Sequence, residues 1–76
     1  MERSNMFTFP PEGYLTVQQV AERLHTQPNM VYRWIKQKRF IPARVRRYES
    51  SPQTAQVIRL SDIEHYEQEL ASIDQL

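Results

Sequence analysis

Apolar residues near the start of the chain recur every three or four positions, the spacing of one face of a helix. The first set consists of Val17, Val20, Ala21 and Leu24. Thr16 and Gln19 have the spacing of a capping box, in which each side chain accepts a hydrogen bond from the backbone N–H of the other residue. We therefore predict a first helix with Thr16 as its N-cap.

A second helix is predicted after a short turn at residues 25–28. Proline is tolerated in the first turn of a helix and Thr26 is a favourable N-cap, so we expect this helix to begin at about Gln27. The apolar face expected to pack on the first helix comprises Met30, Val31, Trp34 and Ile35. The opposite face is polar and cationic and comprises Asn29, Tyr32, Arg33, Lys36 and Gln37.

The chain after the second helix is predicted to form a β-hairpin. Phe40 and Ile41 in the connecting loop are expected to lie beneath the helices. Residues 44–48 and 56–60 have the composition of strands, and the turn-forming residues between them indicate a long, flexible tip. The alternative is an irregular segment, because no Asn-Gly type turn fixes the register of the strands. We call this hairpin the wing.

A third helix is predicted after the wing. Ser61 and Glu64 have the spacing of a second capping box, so we expect the helix to start at Ser61. Its apolar stripe comprises Ile63, Tyr66, Leu70 and Ile73. The predicted order is α-α-β-β-α, a small α+β winged helix-turn-helix with a two-stranded hairpin wing.

The length of 76 residues allows one small domain. We predict a flexible N-terminal arm at 1–13, the domain at 14–71 and a C-terminal tail at 72–76. Two interpretations of the arm stay open: its apolar residues pack on the domain or a neighbouring molecule, or the arm is a frayed end. Those apolar residues are Met6, Phe7 and Phe9.

Charge is strongly segregated along the chain although its net value is only +1. Residues 33–47 contain seven of the ten Lys and Arg residues and no Asp or Glu. Residues 60–76 contain five acidic residues and no Lys or Arg. A one-signed basic segment on a polar helix face indicates a surface for a polyanion, and the acidic third helix is expected to lie away from it.

Composition argues against several other classes of protein. The chain has no cysteine, and its two histidines lie forty positions apart, so we expect no disulfide and no metal site. No apolar run reaches the roughly 20 residues of a membrane span, and we expect a cytoplasmic protein. No nucleophile–base pair or phosphate-binding glycine loop is present in the sequence, so we expect neither an enzyme nor a cofactor.

Three segments resemble the excisionase-type winged helix domains of the broader MerR-like DNA-binding group. They are LTVQQVAERLHTQPNMVYRWIKQ, the Ile41-Pro42-Ala43 turn, and IRLSDIEHY near the end. The chain departs from the family in two ways. The glycine that usually follows the second helix is replaced by Lys38 or Arg39, and the wing is longer and poorer in glycine.

The resemblance implies that the second helix enters the major groove of DNA and that the wing follows the backbone or a minor groove. Arg33 is then the best reader of guanine and Asn29 of adenine, although Asn29 is equally explained as a polar first-turn residue. Lys36 and Tyr32 suit phosphates. Trp34 is better explained as a core residue than as a base-stacking one. The candidate DNA-binding residues are Thr26, Gln27, Asn29, Tyr32, Arg33, Lys36, Lys38, Arg39, Arg44, Arg46, Arg47 and Arg59.

The resulting hypothesis is a sequence-specific binder of double-stranded DNA. Its leading form is an excisionase-like recombination directionality factor that binds tandem sites cooperatively and bends DNA, with a recombinase or integrase and further copies of itself as partners. A small phage- or plasmid-type transcriptional repressor is the first alternative. A protein-interaction adaptor is the second.

Overall fold

The computed structural model describes residues 8–50 and 52–74. The elements are β1 (Tyr14–Thr16), α1 (Val17–Arg23), α2 (Pro28–Lys36), β2 (Ala43–Arg46), β3 (Thr54–Arg59) and α3 (Leu60–Asp74). The predicted α+β class and the succession of two helices, hairpin and helix are confirmed. The predicted order α-α-β-β-α lacks β1, however, and the predicted strands run one to two residues too far toward the C-terminus. Met6 and Phe7 lie outside the described residues.

The sheet has three strands rather than two, in the order β1-β3-β2 with both pairs antiparallel. The additional strand, β1, pairs Leu15 with Ile58 and Thr16 with Val57. Thr16 has the extended backbone of an N-cap, with φ −71° and ψ 164°. The two residues before Thr16 are also extended, and together with it they pair with the edge of β3 that faces away from β2.

The start of α1 has the predicted capping box. The Thr16 backbone N–H donates to Gln19 Oε1 at 2.9 Å, and the Gln19 N–H donates to Thr16 Oγ1 at 3.1 Å. The predicted cap of α2 is wrong, because Gln27 and not Thr26 is the N-cap, with Pro28 as the first helical residue. The Thr26 N–H instead donates to the Ala21 carbonyl oxygen at 2.8 Å and closes the end of α1.

Both helices of the pair end in the same way. His25 after α1 and Lys38 after α2 have left-handed backbone conformations, with φ 58° and 69°. The N–H of each of these residues, and the N–H of the residue that follows it, donate to carbonyl oxygens in the last turn of the preceding helix. This is the Schellman pattern. The position expected for the family's glycine is thus Lys38, and α2 is bounded by two turns of one type.

The core lies between the helices and the sheet. Its buried residues are Val17, Val20, Ala21, Val31, Phe40, Ile58 and Ile63. Phe40 is buried as predicted, and its ring contacts those of Trp34 and Tyr66 with centroids 6.2 and 5.5 Å away. The prediction for Ile41 is wrong, since 69% of it is exposed. Only one of two adjacent loop residues reaches the core.

The third helix begins at Leu60, so the prediction that Ser61 caps it is wrong. The Leu60 N–H donates to the Gly13 carbonyl oxygen at 2.8 Å, which joins the helix start to the turn before β1. The predicted apolar stripe holds only in part: Ile63 is buried and Tyr66 half-buried, but Leu70 and Ile73 are 44% and 64% exposed.

One charged contact joins α3 to α1. The Arg23 guanidinium donates from Nε and Nη2 to the two carboxylate oxygens of Glu67 at 2.9 and 3.0 Å. The hydrogen bond from Arg23 lowers the pKa of the Glu67 carboxyl below its ordinary value, and the same bond raises the pKa of Arg23. The pair is partly exposed to solvent.

We predict that Lys38→Gly raises the free energy of unfolding by about 0.5–1 kcal/mol, because glycine adopts a positive φ without the steric cost that lysine has there. Urea unfolding followed by circular dichroism measures the change. The matched control is Gln37→Gly, where φ is −82° and glycine should destabilise the helix end. Equal destabilisation by both substitutions would contradict the prediction.

We predict that Glu67→Gln lowers the melting temperature at pH 7 and that this difference shrinks as the solution is acidified. The folded state lowers the pKa of Glu67, so its stabilising contribution is present above the ordinary glutamate pKa of about 4 and is lost as the pH falls through the lowered value. Thermal melts from pH 7 to 2 measure the effect. Glu22→Gln removes the same charge from the exposed side of α1 and is the control. A pH-independent difference would argue against the pair as its cause.

Candidate nucleic-acid interface

The second helix of the pair presents a polar and cationic face outward. Val31 is fully buried against α1, and Trp34 and Ile35 are half-buried. The residues predicted for the opposite face are all exposed: Asn29, Tyr32, Arg33, Lys36 and Gln37. The turn between the helices is closed by hydrogen bonds from the His25 and Thr26 N–H groups to the Glu22 and Ala21 carbonyl oxygens.

A first cleft lies where the turn meets the start of α2, and we call it the turn cleft. Its lining residues are His25, Thr26, Gln27, Asn29, Met30 and Arg33. It thus brings together the two predicted base readers, Arg33 and Asn29, with no acidic residue among the described lining. In the described chain no side chain caps α2 at Gln27. Pro28 has no N–H and the Met30 N–H donates to the Gln27 carbonyl oxygen at 3.0 Å, so within the first turn it is the Asn29 N–H that is available to an anion.

The wing presents two arginines on one face. The register pairs Arg44 with Gln56 and Arg46 with Thr54, and directly paired residues of an antiparallel sheet share a face. Arg44 and Arg46 are exposed, whereas Ala43 and Val45, which alternate with them along β2, are half-buried. Arg47 follows the end of β2, so strand alternation does not set its direction.

A second cleft, the wing cleft, lies between the helix pair and the wing. Its lining residues are Phe9, Thr16, Val17, Tyr32, Arg44, Arg47, Thr54, Ala55 and Gln56. It opens where β1 ends, because among residues 8–50 and 52–74 no strand pairs with β3 before Val57 on that side. The cleft brings three candidates, Tyr32, Arg44 and Arg47, together from two parts of the fold.

Other candidates line neither cleft. Arg39 lies beside α3 in a groove shared with Asp62 and Glu69, and its Nε donates to Gln37 Oε1 at 3.3 Å. Arg59 pairs with Tyr14 at the end of β3 remote from the wing tip. Three more cations are exposed outside the clefts, namely Lys36, Lys38 and Arg46.

The acidic residues of α3 form a separate surface. The groove along α3 is lined by Arg39, Phe40, Ile41, Asp62, His65, Tyr66 and Glu69, none of which lines either basic cleft. His65 Nε2 lies 3.2 Å from a Glu69 carboxylate oxygen, and Glu67 binds Arg23. The acidic residues of α3 therefore lie apart from both basic clefts, and the cations found beside them are Arg39 in the groove and Arg23 paired with Glu67.

Sequence reasoning missed several residues of these clefts. His25 carried no signal, because an isolated histidine in a turn has no pattern. Thr16 and Gln56 were assigned to a cap and a strand, and only the tertiary fold brings them beside Tyr32. Phe9 was one of the apolar arm residues, and its place in the wing cleft favours the interpretation in which it packs on the domain.

Residues 8–50 and 52–74 contain neither a metal-binding cluster nor a membrane-spanning helix. Among them no group of three His, Cys, Asp or Glu side chains has the geometry to hold a metal ion. None of the helices in this part of the chain is long and apolar enough to span a membrane.

Comparison with known proteins gives one family. The family model, described as a helix-turn-helix domain, matches residues 14–71. No curated protein sequence and no solved structure matches the chain. The matched range includes every element from β1 to most of α3, and so contains the whole turn cleft and every lining residue of the wing cleft except Phe9.

Proposed function

Since the chain belongs to the excisionase-like helix-turn-helix family, whose domain is a DNA-binding one, we propose that it binds specific sequences in double-stranded DNA with α2 in the major groove. The observation that carries the proposal is the turn cleft, where Arg33 and Asn29 lie together on the exposed face of α2 without an acidic neighbour among the described lining residues. A guanidinium can bind guanine O6 and N7 bidentately, and an amide can bind adenine N6 and N7.

The remaining candidates are proposed to hold the DNA backbone. Tyr32 and Lys36 flank Asn29 and Arg33, the pair that we call the proposed reading face. Thr26 and Gln27 lie at the start of α2, where the Asn29 amide suits a phosphate. The wing is proposed to follow the backbone or to enter a minor groove. Its cations are Arg44, Arg46 and Arg47. Lys38, Arg39 and Arg59 lie outside the clefts and are proposed as weaker, long-range contributors.

The role within this class is proposed to be that of a recombination directionality factor. A single small module makes few contacts, so it binds one half-site weakly and with strong salt dependence. Useful affinity then requires several copies on adjacent sites. The separate basic and acidic surfaces support a head-to-tail arrangement in which α3 of one copy meets the wing of the next, and a row of such copies bends the DNA presented to a recombinase.

The proposed functional unit is residues 14–71, with 1–13 as an arm and 72–76 as a tail. The family is typically non-enzymatic, and we propose no catalytic step and no cofactor. A protein that binds DNA in this way is proposed to work in the cytoplasm, where bacterial and phage DNA lies.

We predict that Arg33→Ala strongly reduces the preference for a specific site while weak, salt-sensitive binding to random duplex persists. Loss of one bidentate base contact is expected to weaken specific binding by about 1–3 kcal/mol. Salt-titrated binding isotherms on DNA from upstream of the protein's own gene and on random duplex measure the site preference and the salt-sensitive binding. Arg39→Ala removes the same charge beside α3 and is the control, expected to keep the preference. Absence of binding to either DNA at low salt would leave the adaptor alternative in front.

We predict cooperative occupancy of tandem sites that depends on the acids of α3. Native mass spectrometry on duplexes with one, two and three sites should show filling in an all-or-none manner at low salt. The double substitution Glu64→Gln with Glu69→Gln should reduce cooperativity without reducing affinity for a single site, because charge attraction between exposed groups is screened and local. Glu22→Gln is the charge-matched control. Independent filling by wild-type monomers would contradict the head-to-tail arrangement.

A further inference from the structure

The guanidinium of Arg47 lies over the aromatic ring of Phe9. The distance from Arg47 Cζ to the ring centroid is 5.3 Å, within the range of a cation–π contact. Phe9 is half-buried and Arg47 is exposed, and both line the wing cleft. The contact therefore joins the segment before β1 to the wing, two parts of the chain that are remote in sequence.

The segment that carries Phe9 is attached to the folded body. The Tyr14 N–H donates to the Pro11 carbonyl oxygen at 3.0 Å, which closes a turn directly before β1. The Gly13 carbonyl oxygen in that turn accepts from the Leu60 N–H at the start of α3. These two hydrogen bonds fix the backbone a few residues after Phe9. The Phe9 ring is therefore held near the folded body and can restrain a flexible side chain that packs on it.

The chemistry of the wing cleft suits a phosphodiester. Its described lining includes the guanidinium groups of Arg44 and Arg47 and no carboxylate. Hydroxyl and amide groups add neutral hydrogen-bond donors; they belong to Thr16, Tyr32, Thr54 and Gln56. Within the described chain Arg47 forms no ion pair with an acidic residue, so its charge remains available to an external anion.

We propose that Phe9 is a positioning residue that orients Arg47 toward a backbone phosphate of duplex DNA in the wing cleft. A guanidinium stacked on a ring keeps its N–H edge free for a bidentate phosphate contact. Restraint before binding also reduces the conformational entropy lost on binding. The proposal rests on the proposed DNA-binding function and extends its interface to the segment before β1, beyond the helix pair and the wing.

A double-mutant cycle on duplex affinity tests the proposal with Phe9→Leu, Arg47→Gln and the two combined. Arg47→Gln should reduce the slope of log K against log salt concentration by about 0.9, the value for one phosphate contact. Phe9→Leu should weaken binding about two- to fivefold, the contribution of an exposed cation–π contact. It should cause no further loss when Arg47 is already replaced, and Phe9→Tyr, which keeps the ring face, should bind as wild type does.

Two controls separate positioning from a general effect on the fold. Thermal unfolding of each variant shows whether the domain remains folded at the assay temperature. Tyr48→Leu removes an exposed aromatic ring next to Arg47 in sequence and should leave affinity unchanged.

Three results would overturn the proposal: equal weakening by Phe9→Leu in both backgrounds, no weakening at all, or tighter binding. Failure of the wild-type protein to bind any duplex at low salt is a distinct outcome. It would refute the proposed function and this inference with it.

Discussion

The central strand β3 connects the helix pair to the wing. Val57 and Ile58 point to opposite faces of the sheet, and both are fully buried. Ile58 belongs to the core beneath the helices, whereas the residues before Val57 pair with β2 and form the wing. A one-residue slip of β3 would exchange its two faces and move Arg44 relative to α2. The distance between the proposed reading face on α2 and the arginines of the wing therefore depends on the register of β3.

The boundaries of α2 illustrate how backbone geometry positions the proposed reading face. Left-handed residues end α1 and α2 at His25 and Lys38, although the chain has one glycine and neither of these positions holds it. Such conformations cost side-chain-bearing residues on the order of 1 kcal/mol. At Lys38 the cost accompanies a cation beside a basic surface, where glycine would supply no charge. Lys38 therefore combines a strained backbone conformation with a positive charge that adds to the basic surface.

The parts of the fold that could be predicted are those with a local periodic or capping signal. Thr16 and Gln19 cap α1, Val31 faces the core and Phe40 is buried, each as the pattern indicates. β1 was missed because three residues show no period and their partner lies about forty positions away. Thr26 was predicted to cap α2, whereas its N–H closes the end of α1. Residue propensity does not distinguish these two roles. The two clefts depend on tertiary contacts and were predicted only as separate residues.

The distribution of charge explains why a net charge of +1 is compatible with a polyanion surface. Arg23 is the cation of α1, and its bidentate pairing with Glu67 places its charge against α3. The other Lys and Arg residues of the described chain lie on α2, the loop after it, the strands and the wing turn that carries Arg47, where few acids oppose them. The local field, not the net charge, determines attraction over a Debye length of about 8–10 Å. Attraction of this kind is independent of base sequence, and the proposed function therefore assigns sequence discrimination to Arg33 and Asn29 in the turn cleft.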